Sequence, residues 1–149
     1  MSTETAPTSS KKLYRGSCHC GFVKYTVNID MSEHVPSRCN CSICMKKGSI
    51  FIRAKTREDI TLLSPASIDE LTLYTYGAKR AQHYFCKTCG ISCFVFANFE
   101  AMQLWGINGL TIDTDQGIDW STIRLQYWDG KDDGWTKGPK NEPYPYGSW

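Results

Sequence analysis

Over positions 21–29 apolar and polar residues alternate one by one, with Val23, Tyr25, Val27 and Ile29 on one face and Lys24, Thr26 and Asn28 on the other. A period of two is that of a half-buried strand, because successive side chains of an extended chain point to opposite sides. Shorter runs at 49–53, 60–63, 71–76, 81–85 and 91–96 predict further strands, punctuated by Gly48, Pro65, Gly77 and Gly90. Only 42–47 and 98–102 read as helical turns, and neither carries a long 3.6-residue stripe. The expected fold class is mainly β.

The pattern fades at both ends. Residues 1–12 are Ser/Thr-rich and predict a disordered tail, so the domain is expected over 13–127. Residues 128–149 are rich in Gly, Pro and aromatics, a composition not expected to form a helix or a central strand. Their Trp128, Trp135, Tyr144, Tyr146 and Trp149 allow an exposed tail, an arm packed on the domain or a homodimer contact. Packing is the expectation, since aromatics bury large areas and disordered segments are depleted in them.

A chain of 149 residues is one domain by length. It can bury roughly 70% of its unfolded surface, so metal would supplement a core rather than replace one. Seventeen Lys and Arg against fifteen Asp and Glu give a net charge of +2, and the basic pairs are dispersed. Nothing in that balance calls for nucleic acid. No run is long enough to span a bilayer, and the first ten residues lack the apolar stretch of a secretory signal, so a cytoplasmic location with reduced thiols is expected.

That compartment bears on the eight cysteines, which fall into three clusters, Cys18-His-Cys20, Cys39-Asn-Cys41-Ser-Ile-Cys44 and Cys86-Lys-Thr-Cys89, plus Cys93. A disulfide framework is disfavoured by the absence of an export signal and by the tight spacing. The grouping predicts two thiolate zinc sites, one closed by four cysteines and one held by three. A structural zinc takes four protein ligands, whereas a catalytic zinc keeps a position open. In an extended strand residues i and i+2 share a face, so Cys18 and Cys20 can meet one ion, as can Cys39 and Cys41. Cys86-x-x-Cys89-Gly90 has the form of a zinc knuckle, two cysteines straddling a turn that glycine relieves. Cys39-x-Cys41-x-x-Cys44 is self-contained, a strand end and a turn aiming three sulfurs at one point.

The fourth position of that triad has two candidates within the chain. Cys93 shares a strand face with Ile91 and Val95 and reads as core. His83 shares a face with Ala81 and Phe85 and reads as an ordinary, partly buried histidine. Lys46, Lys47, Lys79 and Arg80 could meet the carboxylates of a ligand but read as solvated surface. Solvent or a substrate sulfur is then left for the triad.

Gly16-Ser-Cys-His-Cys-Gly21 with Val23 and Tyr25, then Cys39-Asn-Cys-Ser-Ile-Cys44 with Gly48 and Phe51, then Phe85-Cys-Lys-Thr-Cys-Gly90 resemble the glutathione-dependent formaldehyde-activating enzyme family, which includes centromere protein V. The resemblance runs from about residue 14 to 97. It implies an Mss4-like fold of several small β-sheets. It also implies two Zn²⁺ per chain, one structural on Cys18, Cys20, Cys86 and Cys89 and one catalytic on Cys39, Cys41 and Cys44. The implied activity is carbon–sulfur lyase chemistry, of which S-hydroxymethylglutathione formation from glutathione and formaldehyde is the named reaction.

The chemistry of the triad suits a thiol partner. Three thiolates on Zn²⁺ leave a net charge near −1, a weak Lewis acid for making hydroxide but one that takes a soft thiolate well. A nucleobase deaminase would need an H-x-E signature, which is absent. A zinc-stabilised binding module of the same fold is the alternative, since fold does not dictate function.

Overall fold

The structure, a computed structural model, describes residues 10–149, so residues 1–9 of the tail expected over 1–12 lie outside the described residues, while Lys12 already opens the first strand. The strands are β1 (Lys12–Ser17), β2 (Lys24–Ile29), β3 (Ser37–Cys39), β4 (Phe51–Ala54), β5 (Ile60–Ser64), β6 (Thr72–Tyr74), β7 (Ala81–Phe85), β8 (Ser92–Phe99), β9 (Met102–Asn108) and β10 (Gln126–Trp128). One short helix, α1 (Ser42–Lys47), and a few single 3-10 turns complete them. The fold is mainly β, as the sequence led us to expect, with two sheets and the cysteine clusters at strand ends and in the connections.

Strands β1, β2 and β5 form a three-stranded antiparallel sheet. The others form a seven-stranded sheet in the order β10-β3-β4-β9-β8-β7-β6, in which only the β10–β3 pair is parallel. Val23, Tyr25, Val27 and Ile29 are each no more than 2% exposed, and they meet Ile52, Phe94 and Ile107 of the larger sheet in one core. Each such side chain contributes roughly 1.5–3 kcal/mol of burial free energy. The Tyr25 ring stands edge-on to Phe94 at 5.0 Å, and its hydroxyl shares a 2.6 Å hydrogen bond with Thr111. Gly16, on the neighbouring strand, has no side chain because a Cβ there would occupy the Tyr25 ring.

Two expectations need correction. The expected helical turn at 98–102 is the tip of a β-hairpin, in which Phe99 pairs with Met102 and only Glu100 and Ala101 turn the chain. Local helix preference yields there to the cross-strand pairing of β8 with β9. Cys18 and Cys20 do not sit in an extended strand. Strand β1 ends at Ser17 and the chain turns, with the Gly21 amide donating to the Cys18 carbonyl. The segment after Tyr127 holds only a single 3-10 turn at Gly134–Lys137, and Trp128 ends an edge strand, in line with the expected lack of a long helix or a central strand.

Candidate functional site

The turn after β1 and the β7–β8 turn bring Cys18, Cys20, Cys86 and Cys89 together, their sulfurs all within 4.8 Å of one another. Cys20 Sγ lies 3.6 Å from the sulfurs of both Cys18 and Cys86. A tetrahedral zinc with Zn–S bonds of about 2.3 Å separates its sulfurs by about 3.8 Å, so the four fit such an ion. Backbone amides surround them: Val23 donates to Cys18 Sγ at 3.2 Å, and Thr88 and Cys89 donate to Cys86 Sγ at 3.4 and 3.5 Å. Burial pushes the Cys18 thiol up to about 11. For Cys86, burial acts upward too, but the amides of Cys89 and Thr88 outweigh it and leave the thiol below its ordinary range. Such donors offset thiolate charge and orient the ligands.

The second cluster is built from the end of β3 and the start of α1. Cys39 closes the strand, Cys41 caps the helix with extended backbone angles, and Cys44 lies in its first turn, so three sulfurs fall within 4.8 Å. The turn is terminated by Gly48, left-handed at φ 64°, whose amide bonds the Cys44 carbonyl. Among the described residues no further Cys, His, Asp or Glu joins this group. Hydrogen bonding from Cys39 and then Cys44 pulls the Cys41 thiol far below its ordinary range, while Cys44 is pushed up by Cys39 and Cys41 in turn. Three crowded sulfurs of this kind share out one negative charge, and a bound cation would let all three ionise.

The C-terminal arm closes the back of this cluster. Buried Asn40, between Cys39 and Cys41, donates to Asp129 Oδ1 at 2.9 Å and to the Pro145 carbonyl at 3.2 Å, and accepts from the Lys131 amide at 2.9 Å. Gly130 passes so close that a Cβ there would run into Cys39 Sγ. The Trp128 and Trp135 rings stand 5.9 Å apart, and Tyr144 donates to the Gly138 carbonyl, whereas Tyr146 and Trp149 are 81% and 86% exposed.

A cavity of about 450 Å³ lies between α1 and the β6–β7 edge of the large sheet, lined by Ser42, Ile43, Lys47, Tyr76, His83 and Phe85 among others but by none of the three cysteines. That volume is in the range of small-molecule sites. Tyr74, Tyr76 and His83 form a ladder of stacked rings at 5.8 and 6.1 Å. Lys47 Nζ lies 3.3 Å from His83 Nδ1. Burial first, and then the Lys47 charge, push the His83 imidazole down to about 4.

Residues 13–128 match the family model described as glutathione-dependent formaldehyde-activating enzyme. The chain belongs to this family. A Halomonas elongata protein, provisionally named as a glutathione-dependent formaldehyde-activating enzyme, is 32% identical over 95 residues. Those residues are 56% of each protein, so the chain spans a little over half the length of that relative. A crystal structure of a Rhodobacter sphaeroides protein aligns with a TM-score of 0.59 at 30% identity, covering 72% of this chain and 92% of that one.

Within this formaldehyde-activating family member, all seven cysteines singled out from the sequence come together, four in one cluster and three in the other. Cys93 joins neither. It is fully buried in the core on the side of the four-sulfur cluster, its thiol pushed up to about 12 by burial and then by Cys18 and Cys86. His83 is also outside the clusters and buried, as expected, and it lines the cavity in contact with Lys47. Lys46, Lys79 and Arg80 are exposed, whereas Lys47 is half-buried. Asn40 and Asp129 went unmarked in the sequence. The one signal for Asn40 was its place inside the C-x-C motif, and Asp129 lies in the arm, whose docking no local pattern reveals.

Proposed function

We propose that this protein is a zinc-dependent carbon–sulfur lyase of the cytoplasm, acting on the adduct between a small thiol such as glutathione and a small carbonyl electrophile such as formaldehyde. Cys18, Cys20, Cys86 and Cys89 hold a structural zinc, and Cys39, Cys41 and Cys44 hold the catalytic one. The observation that carries this reading is the three-sulfur cluster, which no fourth ligand among the described residues completes; Ser42 and Ile43, between Cys41 and Cys44, line a cavity of about 450 Å³. When bound there, zinc supplies a soft, thiophilic centre that favours the ionised form of an incoming thiol.

The rest is the work of the chain. The cluster, backed by Asn40 and the C-terminal arm, offers one face for a substrate sulfur. Ile43, Phe85 and the tyrosines give the cavity an apolar lining that limits water around the reacting groups. In the synthetic direction the thiolate sulfur bonds the carbonyl carbon, the π pair moves to oxygen, and that oxygen takes a proton from solvent. In reverse the hydroxyl loses its proton, the carbonyl reforms and the thiolate leaves.

The test is thiol binding to the cobalt-substituted protein. Glutathione is expected to raise the sulfur-to-cobalt charge-transfer absorption, and to do so equally in Cys93→Ala, since Cys93 lies outside the triad. A triad that already reports four protein sulfurs, falling to three in Cys93→Ala, would overturn the lyase reading in favour of a closed, zinc-stabilised binding module.

A further inference from the structure

Lys47 and Cys44 are three apart on α1 and so lie on one face of it, which places an ammonium group beside the triad at the cavity wall. Its contact with His83 is directional. An ammonium has three donors and no acceptor, so the His83 nitrogen facing it accepts, and the proton of the neutral ring is left on Nε2, which is buried and has no hydrogen-bond partner among the described residues. The ring is neutral at physiological pH, since its burial and the Lys47 charge both work against a second proton. One of the three Lys47 donors is thereby committed and two remain. His83 itself is 6% exposed, fixed in β7 between β6 and β8, and stacked on Tyr76. A long, flexible side chain held by a buried ring at the edge of a mostly apolar cavity is a preorganised donor, unlike exposed Lys46, Lys79 or Arg80.

We propose that Lys47 is a catalytic residue that receives the oxygen of the electrophile, and that His83 is the positioning residue that holds it. This deepens the lyase reading and rests on it. As the sulfur–carbon bond forms and the carbonyl π pair moves to oxygen, the growing negative charge meets the free Lys47 donors, after which the oxygen takes its proton from water. In the reverse direction the same donors hold the oxygen as its proton leaves and the carbon–sulfur bond breaks.

The experiment uses the full chain and two readouts, the cobalt charge-transfer response to glutathione and the rate of exchange between glutathione and its formaldehyde adduct followed by NMR. Lys47→Met is expected to keep the charge-transfer response and the KM for glutathione, while kcat falls about 100-fold, the usual loss of one preorganised donor to a developing oxyanion. His83→Leu, which frees Lys47, is expected to fall with it. His83→Gln, whose side-chain oxygen still accepts from Lys47, is expected to recover most of the rate. A Lys47→Met protein that binds glutathione and turns over like the wild type overturns this proposal and leaves the lyase reading standing. Loss of the thiol response in Lys47→Met also overturns it, since Lys47 would then serve the sulfur site, and so does a His83→Gln protein as slow as His83→Leu. A wild-type protein that takes thiol without accelerating exchange overturns it as well. A wild-type cobalt spectrum indifferent to thiol overturns the lyase reading and this proposal together.

Discussion

The Asn40 side-chain amide donates to Asp129 Oδ1 at 2.9 Å across 89 positions of sequence, joining the middle of the C-x-C motif to the arm that follows β10. Asn40 makes two further bonds, to the Pro145 carbonyl and from the Lys131 amide, so one buried side chain ties three points of the arm to the triad. Hydrogen bonding from Asn40, which outweighs the opposing effect of burial and is supported by Lys137, keeps the Asp129 pKa below the ordinary range. The C-terminal arm is therefore part of the wall of the three-cysteine site.

Gly130 tests that relationship. A Cβ at this position would collide with Cys39 Sγ and lie 2.9 Å from the Trp135 ring. Gly130→Ala is expected to lower the metal content from about two ions per chain to about one, because only the triad is disturbed. Elemental analysis together with circular dichroism checks this. Asn40→Ala, which leaves the arm's buried groups without their partner, should lose about 1–3 kcal/mol of stability in denaturant unfolding.

The two cysteine clusters are expected to respond differently to substitution. Cys18→Ser or Cys89→Ser breaks the cluster that joins the β1–β2 and β7–β8 turns, and metal binding at a closed site is coupled to folding, so soluble yield should drop sharply. Cys41→Ser removes one corner of a cluster whose members lie within six positions of one another, and should abolish thiol binding with the fold kept. Equal unfolding of both classes in thermal melts would contradict the division of roles.

Much of this was legible because the signals are local. The alternation from Val23 to Ile29 fixed a buried face, and the spacing of Cys39, Cys41 and Cys44 placed three sulfurs within one strand end and one helical turn. The hairpin at Glu100 and Ala101 was missed because its cause is non-local, in the pairing of Phe94 with Ile107 and of Phe96 with Trp105. His83, read as a buried histidine outside the metal sites, does lie outside both clusters. Its neighbours Ala81 and Phe85 suggested a plain apolar face, and its contact with Lys47 was not legible because that residue comes from another element 36 positions away. The arm offered only composition, which predicts aromatic burial without naming the surface that receives it.

Acid stability should report the Lys11–Asp59 pair, which ties the residue before β1 to the turn before β5 with Nζ 2.9 Å from Oδ1. Burial pushes the Asp59 carboxyl up, but donation from Lys11 and from the Thr56 amide outweighs it and leaves the pKa lowered. A carboxyl lowered on folding stabilises above its unfolded pKa, about 3.9, and that contribution is lost as pH falls through the folded value. Asp59→Asn should thus cost up to about 1 kcal/mol near neutrality, as for a partly exposed ion pair. The gap between wild type and variant should close in denaturant titrations run at progressively lower pH. A gap that persists unchanged in acid would assign the effect to packing.

His83 gives the opposite side of the same linkage and a direct view of the cavity wall. Its pKa is held at about 4 against an ordinary 6.5, so between those values the unfolded chain binds a proton that the folded chain refuses. Stability from this group is present above about pH 6.5 and is lost as pH falls toward about 4. Tyr76 stacks on the ring at 6.1 Å and supplies part of the burial that causes the shift. Tyr76→Ala is therefore expected to raise the His83 pKa toward 6.5, seen in an NMR titration of its Cε1 proton. It should also weaken the pH dependence of unfolding across that window, whatever it does to stability near neutrality. A wild-type His83 that already titrates near 6.5 would mean that the ring is open to water and charged in mild acid, and the Lys47 contact, which requires a neutral acceptor, would then be lost across the same range.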